Sequence, residues 1–203
     1  AAGSTAVMAA VNEVCVHKAS KVWLVARVDG VARQMLSFQR ADSTADGDQP
    51  AQLDTFGGGM EWVDDGDSAI CGLREICEEA LMSAELMIPV RQALQTEPSR
   101  FKARAPNGNE HEIAEYIAWV ADTTVLPTLT DEGRREALES TLAWRDVHEV
   151  LDNLSCFDFL VPVVHWLRQR LLPSSSDQQL QHAASAQHSA QHHTVAQCPV
   201  QHT

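Results

Sequence analysis

Hydrophobic positions along the chain recur with two different periods, which predict both strands and helices. Two runs rich in Val, Leu, Met and Phe, Lys21 to Val28 and Val31 to Arg40, are separated by Asp29-Gly30. An Asp-Gly pair between such runs is a strong signal of a β-hairpin. Glu110 to Val120 alternates between the two faces of an extended chain and predicts a central strand. The sequence therefore predicts a sheet that includes this hairpin.

The stretch Asp67 to Ala80 has the period of an amphipathic helix. On such a helix, Glu75, Glu78 and Glu79 fall within an arc of roughly 100°. The opposite face carries the apolar stripe with which a helix packs on a sheet: Ala69, Ile70, Leu73, Ile76, Cys77 and Ala80. We expect this helix to direct its three carboxylates outward.

Weaker patterns predict three further elements. Ala84 to Thr96 carries apolar residues at alternate positions and predicts a strand. Thr130 to Glu139 predicts a short helix, capped by Thr130 or Asp131. Phe157 to Leu172 is strongly apolar and predicts a helix that ends in basic residues, which complement the helix dipole.

The composition of the chain changes after residue 172, where Gln, His, Ser and Ala begin to dominate. Such a composition is typical of disorder, because it offers little apolar surface to bury. We therefore expect one folded domain over residues 1–172 and a disordered tail over residues 173–203.

Charge and cysteine content exclude several classes of function. The net charge of −13 argues against nonspecific nucleic-acid binding, which needs a basic surface. No apolar run approaches the roughly 18 residues of a membrane span, so no membrane partner is expected. The five cysteines are odd in number and form no CxxC pair, which favours a reducing compartment over a disulfide framework or a zinc site. We expect a cytoplasmic protein, with an organelle as the alternative.

The three glutamates of the predicted helix need a compensating charge. Carboxylates three and four residues apart destabilise a helix by a few tenths of a kcal/mol per pair. Arg74 can pair with Glu78, and a divalent cation is the simplest partner for the other two acids. Hard oxygen ligands that fill only part of an octahedron suit Mg²⁺. A solvated acidic face is the alternative, but a glycine turn at Gly57 to Gly59, close to the helix, favours a ligand because glycine lets the backbone approach one closely.

The stretch from Gly58 to Met82 resembles a Nudix box, whose second half reads Arg-Glu-apolar-any-Glu-Glu. The residues that carry this resemblance are Arg74, Glu75, Ile76, Glu78, Glu79 and Met82. The start, GGGME, is similar to the diphosphoinositol polyphosphate phosphohydrolase branch of the family.

The stretch departs from the family pattern at two points. Gly66 stands where the family has a glutamate, so the loop is longer than the pattern, with Asp64, Asp65 or Asp67 as the replacement. Leu81 replaces the glycine that follows the Glu-Glu pair, at a helix exit where glycine accepts a left-handed conformation cheaply.

The resemblance implies a Nudix α/β/α sandwich, an α/β (α+β) fold with a central mixed β-sheet between helices. It also implies hydrolysis of a diphosphate bond in a small phosphorylated substrate with Mg²⁺ or Mn²⁺ as cofactor. The implied metal ligands are Glu75, Glu78, Glu79, Asp67 and a carbonyl of Gly58 or Gly59.

The remaining site residues come from the same resemblance and from one local basic cluster. Arg74 is expected to orient the acids, and Glu79 or Glu139 to act as the base; Glu139 lies a short distance before Trp144, where several family members place a loop carboxylate. The expected substrate-binding residues are Gly59, Arg40, Arg100, Lys102 and Arg104. A solvated hairpin loop is an equally good interpretation of the last three.

The sequence leaves two substrate hypotheses open, and a third hypothesis in which the chain is not an enzyme. The GGGME start and the basic cluster favour an inositol pyrophosphate, whereas the net acidity favours a nucleoside diphosphate derivative such as a dinucleoside polyphosphate, ADP-ribose or a sugar nucleotide. A nucleobase would need an aromatic surface, for which the candidates are Phe38, Trp62, Tyr116 and Trp119. The longer loop and Leu81 motivate the third hypothesis, a Nudix-fold module that binds its ligand without hydrolysing it.

Overall fold

A computed structural model describes residues 16–28, 31–41, 52–104, 109–121, 123–154 and 161–172. The predicted tail, the Asp29-Gly30 turn and the start of the predicted C-terminal helix lie outside the described residues. The strands are β1 (Val16–Val28), β2 (Val31–Gln39), β3 (Leu53–Asp54), β4 (Phe56–Gly59), β5 (Ala80–Leu81), β6 (Ser99–Arg104), β7 (Glu110–Val120), β8 (Thr128–Leu129) and β9 (Ala143–Asp146). The helices are α1 (Ser68–Glu79), α2 (Ala84–Leu94), α3 (Gly133–Glu136), α4 (Val147–Asn153) and α5 (Val161–Leu171).

The main sheet is mixed, and β1 lies at its centre. β1 runs antiparallel to β2, with Val28 opposite Val31, so the predicted hairpin is confirmed. It runs parallel to β7 on its other side, which confirms β7 as a central strand. Because β1 is long, its first half also pairs with β4, antiparallel, before its second half pairs with β2. This arrangement brings the glycine-rich β4 beside the middle of the sheet.

The two faces of the sheet bury separate cores, each covered by helices. Val22 and Leu24 of β1 face the core that contains residues of α1 and α2. Trp23 and Val25, the alternate residues of the same strand, face the core that contains residues of α4 and α5. This alternation is what a strand with both faces buried requires. The predicted fold class, helices on both sides of a mixed sheet, is confirmed.

The predicted strand over 84–96 is wrong, because this segment forms the helix α2. Leu86, Val90 and Leu94 are buried at intervals of four, whereas Ile88, which the alternating pattern needs, is 56% exposed. Apolar residues spaced by four fit both a period of two and a helical period, and packing against the sheet decides between them.

The predicted helix over 130–139 is shorter than expected. The segment 130–139 contains only the single turn α3, whose start is held by Thr130, since its Oγ1 accepts from the backbone N of Gly133 at 3.1 Å. The described part of the C-terminal helix, α5, begins at Val161 and ends as predicted near two arginines. Within the described ranges, no helix combines the length and the apolar character needed to span a membrane.

Candidate active site

The helix α1 begins as the sequence predicts, and Asp67 is its cap. The Asp67 Oδ1 atom accepts from the backbone N of Ala69 at 2.7 Å and of Ile70 at 3.4 Å. A carboxylate at this position satisfies amides that a helix start leaves unpaired. The structure therefore shows Asp67 engaged as a helix cap, and Asp67 does not line the cavity described below.

The extra length of the loop before α1 is taken up by a tight turn. Trp62–Asp64 forms a 3-10 turn, in which an Asp64 oxygen accepts from the backbone N of Glu61 at 2.7 Å. Asp65 (φ 48°) and Gly66 (φ 76°) then take left-handed conformations and return the chain to Asp67. Such conformations are most accessible to Gly, Asn and Asp, which explains the Asp-Gly pair here.

Arg74 ties this loop to α1. Its Nε and Nη2 atoms each donate to the buried carboxylate of Asp64 at 3.0 Å, in the bidentate geometry that suits a guanidinium. Hydrogen bonding to Arg74 lowers the pKa of Asp64 below its usual value. Of the three aspartates that could replace the family glutamate, Asp64 is the one that faces Arg74. Arg74 also donates to Glu78 at 2.8 Å and lies 2.9 Å from an oxygen of Glu75.

The glycine triplet forms the strand β4 and not the turn expected from the sequence. The backbone N of Gly57 donates to Glu79 Oε2 at 3.0 Å, and the Gly59 carbonyl accepts from Arg74 at 2.9 Å. A Cβ atom on Gly58 would lie 2.4 Å from an oxygen of Glu75. Gly58 is therefore required where the carboxylate of Glu75 packs directly on the backbone of the strand.

Glu79 points inward, so the expectation of three outward carboxylates is wrong for this residue. It is only 3% exposed, and burial raises the pKa of its carboxyl to about 8. Nearby carboxylates, Glu136 and Glu75, raise this pKa further, while the Gly57 amide and the charge of Lys21 oppose the effect. A buried acid in this setting favours a cation or a proton as its partner.

The buried stripe of α1 also differs from the predicted apolar stripe. Ile76 is buried as predicted, but Ile70 and Cys77, which were expected to pack, are exposed, and Cys71, outside the predicted stripe, is buried. The helix is thus rotated so that Glu79 shares the face that packs on the sheet. Burial raises the pKa of the Cys71 thiol to about 12, which agrees with a packing residue and not with a nucleophile.

A cavity of about 660 Å³ opens where α1, β4 and α3 meet. It is lined by Gly58, Gly59, Met60, Glu61, Arg74, Glu75, Glu78, Glu79, Glu132 and Glu136. Six of these residues are glutamates and one is an arginine, so its wall carries a strong excess of negative charge. The structure thus brings Arg74, the three glutamates of α1 and two of the glycines together, as the sequence analysis expected of a site.

Glu132 and Glu136 are residues of this cavity that the sequence analysis missed. They lie four residues apart beside and within α3, so they share one side of that turn. The turn is held tightly to the end of α1, because a Cβ on Gly133 would lie 2.0 Å from the Glu79 carbonyl oxygen. Thr130 donates its backbone N to that same carbonyl at 2.9 Å. The spacing of the two acids on a predicted helix was the signal available in the sequence.

Glu139 and Arg40, two other predicted site residues, do not line the cavity. Glu139 is on a separate 3-10 turn and accepts from Arg134 Nε at 3.0 Å. Arg40 donates to Asp54 at 3.2 Å, and Asp54 also pairs with Lys21. Both side chains have partners within the chain, and their predicted roles stay predictions.

The basic cluster lies on β6, on the far side of β7 from β1 and β4. Arg100 and Lys102 each approach Glu112 to 3.7 Å. Lys102 and Arg104 line a second cavity, of about 520 Å³, which shares no residue with the first. The structure does not bring these three residues to the cavity of the glutamates.

Leu81 is accommodated because the helix exit differs from the one the family glycine serves. α1 ends at Glu79, and Ala80 is extended (φ −146°, ψ 139°), so no left-handed residue is needed. Ala80 and Leu81 pair with β8 in a two-stranded ribbon, where the Leu81 side chain is exposed.

The donor atoms of the cavity suit a divalent cation, although they are not gathered around one point. Among the described residues, no three acidic, His or Cys side chains are arranged as a metal site. Arg74 engages Glu75 and Glu78, which places two of the expected ligands against a guanidinium. The set nevertheless consists of hard carboxylate and carbonyl oxygens, which are the ligands that Mg²⁺ and Mn²⁺ prefer. The buried Glu79, with a pKa raised to about 8, has no cation of the chain bonded to it within the described part, so the residues fit the ion.

Comparison with known proteins finds structures with a similar fold but no relative by sequence. No protein-family model matches the chain, and no curated protein matches its sequence. A Nudix hydrolase from Alicyclobacillus acidocaldarius matches with a TM-score of 0.53 at 11% identity, over 79% of this chain and 93% of that chain. A MutT protein from Methanosarcina mazei Go1 matches with 0.52 at 11% identity, over 79% and 99%. A C. elegans Ap4A hydrolase in a binary complex matches with 0.50 at 14% identity, over 75% and 93%. The chain therefore has the fold of Nudix hydrolases.

Proposed function

We propose that the chain hydrolyses a diphosphate linkage in a nucleoside diphosphate derivative, with Mg²⁺ or Mn²⁺ as cofactor. The observation that carries the proposal is the position of Glu79. It is buried at the wall of the cavity, bonded to the backbone of β4, beside Glu75 and Glu78 on a Nudix fold. In the reaction, a water oxygen attacks a phosphorus atom, the P–O bond of the bridge breaks, and two phosphorylated products leave.

The charge of the cavity supports a cation-dependent reaction. Six glutamates and one arginine line it, so a diphosphate that entered alone would face strong repulsion. The cation would be held by the carboxylate oxygens of Glu75, Glu78 and Glu79 and by the carbonyl oxygen of Gly58. When bound, Mg²⁺ or Mn²⁺ supplies neutralisation of the phosphate charge and a lowered pKa of the attacking water.

Two residues of the chain would position the ligands and accept the proton of the attacking water. Arg74 positions Glu75 and Glu78 through its hydrogen bonds and is itself held by Asp64. Glu79 uses one lone pair of Oε2 to accept from Gly57, so the second lone pair of that oxygen would be available to the cation and Oε1 to the proton of the attacking water. We prefer Glu79 to Glu139 as the base, because Glu139 pairs with Arg134 and does not line the cavity.

A nucleoside diphosphate derivative is a better substrate for this cavity than an inositol pyrophosphate. The latter was favoured by Arg100, Lys102 and Arg104, none of which lines the cavity. A heavily phosphorylated ring would then meet several glutamates and only one arginine. A nucleoside diphosphate derivative brings fewer phosphates and a neutral base to the same walls.

The proposal is tested with purified chain, Mg²⁺ and a panel of diphosphates: ADP-ribose, a dinucleoside polyphosphate, a sugar nucleotide and an inositol pyrophosphate. We expect Mg²⁺-dependent turnover of a nucleotide, and a large loss of that turnover in Glu78→Gln. Turnover that Glu78→Gln leaves unchanged would contradict the site. Metal-dependent binding without turnover of any compound would instead favour a module that binds and does not hydrolyse.

A further inference from the structure

Trp62 is the most exposed large apolar side chain among the described residues, at 89%. The other aromatic candidates for contact with a nucleobase are covered. Phe38 and Tyr116 are buried in the core, and the guanidinium of Arg27 lies 3.5 Å from the centre of the Trp119 ring. Of the four aromatic residues considered, Trp62 alone presents an open face to a ligand.

In the chain, Trp62 directly follows two residues that line the cavity of the glutamates. Met60 and Glu61, the two residues before it, line that cavity. Trp62 begins the 3-10 turn that precedes α1. An exposed indole is therefore attached to the backbone that continues directly from the lining of the site.

The turn that carries Trp62 is firmly held, although its side chain is exposed. The Trp62 carbonyl accepts from the backbone N of Asp65 at 3.3 Å, and Glu61 and Asp64 bond to each other's backbone at the start of the turn. Asp64 is fully buried and bonded twice to Arg74, which belongs to the helix of the site. An aromatic side chain on a preorganised backbone loses little conformational freedom when a ligand covers it.

We propose that Trp62 is a stacking platform for the nucleobase of the substrate, and hence a determinant of specificity for base-bearing diphosphates. The inference rests on the proposed function, because it assumes that the diphosphate occupies the adjacent cavity. A base is planar, uncharged and able to stack on indole, so the acidic rim does not repel it. Stacking on one aromatic ring tolerates different bases, so Trp62 selects for a base without selecting its identity.

The test uses two compounds that share a diphosphate analogue which cannot be hydrolysed at the bridge. α,β-Methylene-ADP carries an adenosine, and methylenediphosphonate carries none. Affinities of both are measured with Mg²⁺ for wild type, Trp62→Ala, Trp62→Phe and Ile88→Ala, an exposed apolar residue of α2 outside the cavity. Binding of these compounds does not depend on turnover.

We expect Trp62→Ala to weaken the binding of α,β-methylene-ADP by about 5- to 100-fold, which is the range of affinity that stacking on an aromatic side chain contributes. Methylenediphosphonate should bind this variant as it binds wild type. Trp62→Phe should restore most of the affinity, and Ile88→Ala should change nothing. The nucleotide, but not methylenediphosphonate, should also quench an emission component that Trp62→Phe lacks.

Three results would overturn the platform. Unchanged affinity of Trp62→Ala for the nucleotide analogue would show that Trp62 does not stack on the base. An equal loss for both compounds would mean that Trp62 acts through the shape of the loop. If wild type binds neither compound with Mg²⁺, the proposed diphosphate site itself fails, and the platform fails with it.

Discussion

Two buried glutamates of this chain, Glu79 and Glu115, share one electrostatic property and both lie near the charge of Lys21, but they differ in their bonded partners and in their access to a cavity. Burial raises the pKa of each to about 8. Glu115 lies on β7, accepts from the indole Nε1 of Trp23 at 2.5 Å, and has the charge of Lys21 nearby. Glu79 lies at the end of α1, where its bonded partner is a backbone amide and its charged neighbours include two further glutamates.

The difference shows that a raised pKa does not by itself mark a functional site. Glu115 lines neither of the two cavities, and side chains of the chain provide it with a donor and a positive charge. Glu79 lines the acidic cavity, and its neighbours there add negative charge. Because Glu79 lines the acidic cavity and Glu115 does not, we propose that Glu79 carries the chemistry and that Glu115 has a structural role.

The largest expected effect is on hydrolysis, and it distinguishes Glu79 from Glu115. Glu79→Gln removes a carboxylate charge at the cavity, so we expect Mg²⁺-dependent hydrolysis to fall by at least about a hundredfold. Glu115→Gln should keep activity within about twofold of wild type, since it leaves the cavity unchanged. Steady-state kinetics at saturating Mg²⁺ measures both. Equal losses of activity in the two variants would show that Glu79 and Glu115 do not differ in their importance for hydrolysis.

Replacing Arg74 should affect both stability and activity. Arg74→Ala leaves the buried Asp64 without its cation, and breaking such a pair costs about 3 kcal/mol of unfolding free energy. Activity should fall by about 10- to 100-fold, because Glu75 and Glu78 lose the group that positions them. Urea unfolding and kinetics measure the two losses. Arg168→Ala, which removes an exposed pair with Asp152, is the control and should cost less than about 1 kcal/mol.

A methyl group on the glycine strand should test how closely the carboxylates approach the backbone. The Cβ of Gly58→Ala would lie 2.4 Å from an oxygen of Glu75, so Glu75 has to move. We expect Mn²⁺ affinity to fall by about tenfold. Gly59→Ala is a matched variant, because its Cβ would meet nothing within 4 Å, and Mn²⁺ affinity should change by less than about twofold. Similar affinities of the two variants would show that Glu75 does not need its contact with Gly58.

Glu115→Gln should have the smallest effect on activity, and its measurable effect should be on the free energy of unfolding. Glu115 binds its proton more tightly in the folded state than in the unfolded state, where its pKa is near 4.5. Its contribution to stability is therefore fully present below pH 4.5 and is lost as the pH rises towards 8. Relative to wild type, Glu115→Gln should gain stability between pH 5 and pH 8, by on the order of a few kcal/mol. Urea unfolding at several pH values measures this difference. A difference that does not vary with pH would mean that Glu115 is not held protonated.

The elements that local patterns determine were predictable from the sequence. The hairpin β1–β2 follows from two apolar runs around Asp29-Gly30, and α1 follows from its helical period. The alternation of Glu110 to Val120 similarly predicted β7. In each case the side chains within one element carry the signal, and packing agrees with it.

Features that depend on tertiary contacts were not predictable. The burial of Glu79 depends on how α1 is rotated against β4, and the period of the helix gives only the relative positions of its residues. Asp64, Asp65 and Asp67 are chemically equivalent in the sequence, and only the fold shows that Asp64 bonds to Arg74 while Asp67 caps the helix. Glu132 reaches the cavity because α3 packs on the end of α1, a contact between distant segments.

The most direct test of the central claim, that the carboxylates of α1 hold a divalent cation, is the affinity of the chain for Mn²⁺. Isothermal titration calorimetry would compare wild type, Glu79→Gln and Glu115→Gln under the same conditions. We predict that Glu79→Gln binds Mn²⁺ at least about tenfold more weakly than wild type. Glu115→Gln should bind it with the affinity of wild type. Equal affinity of Glu79→Gln and wild type would contradict the claim.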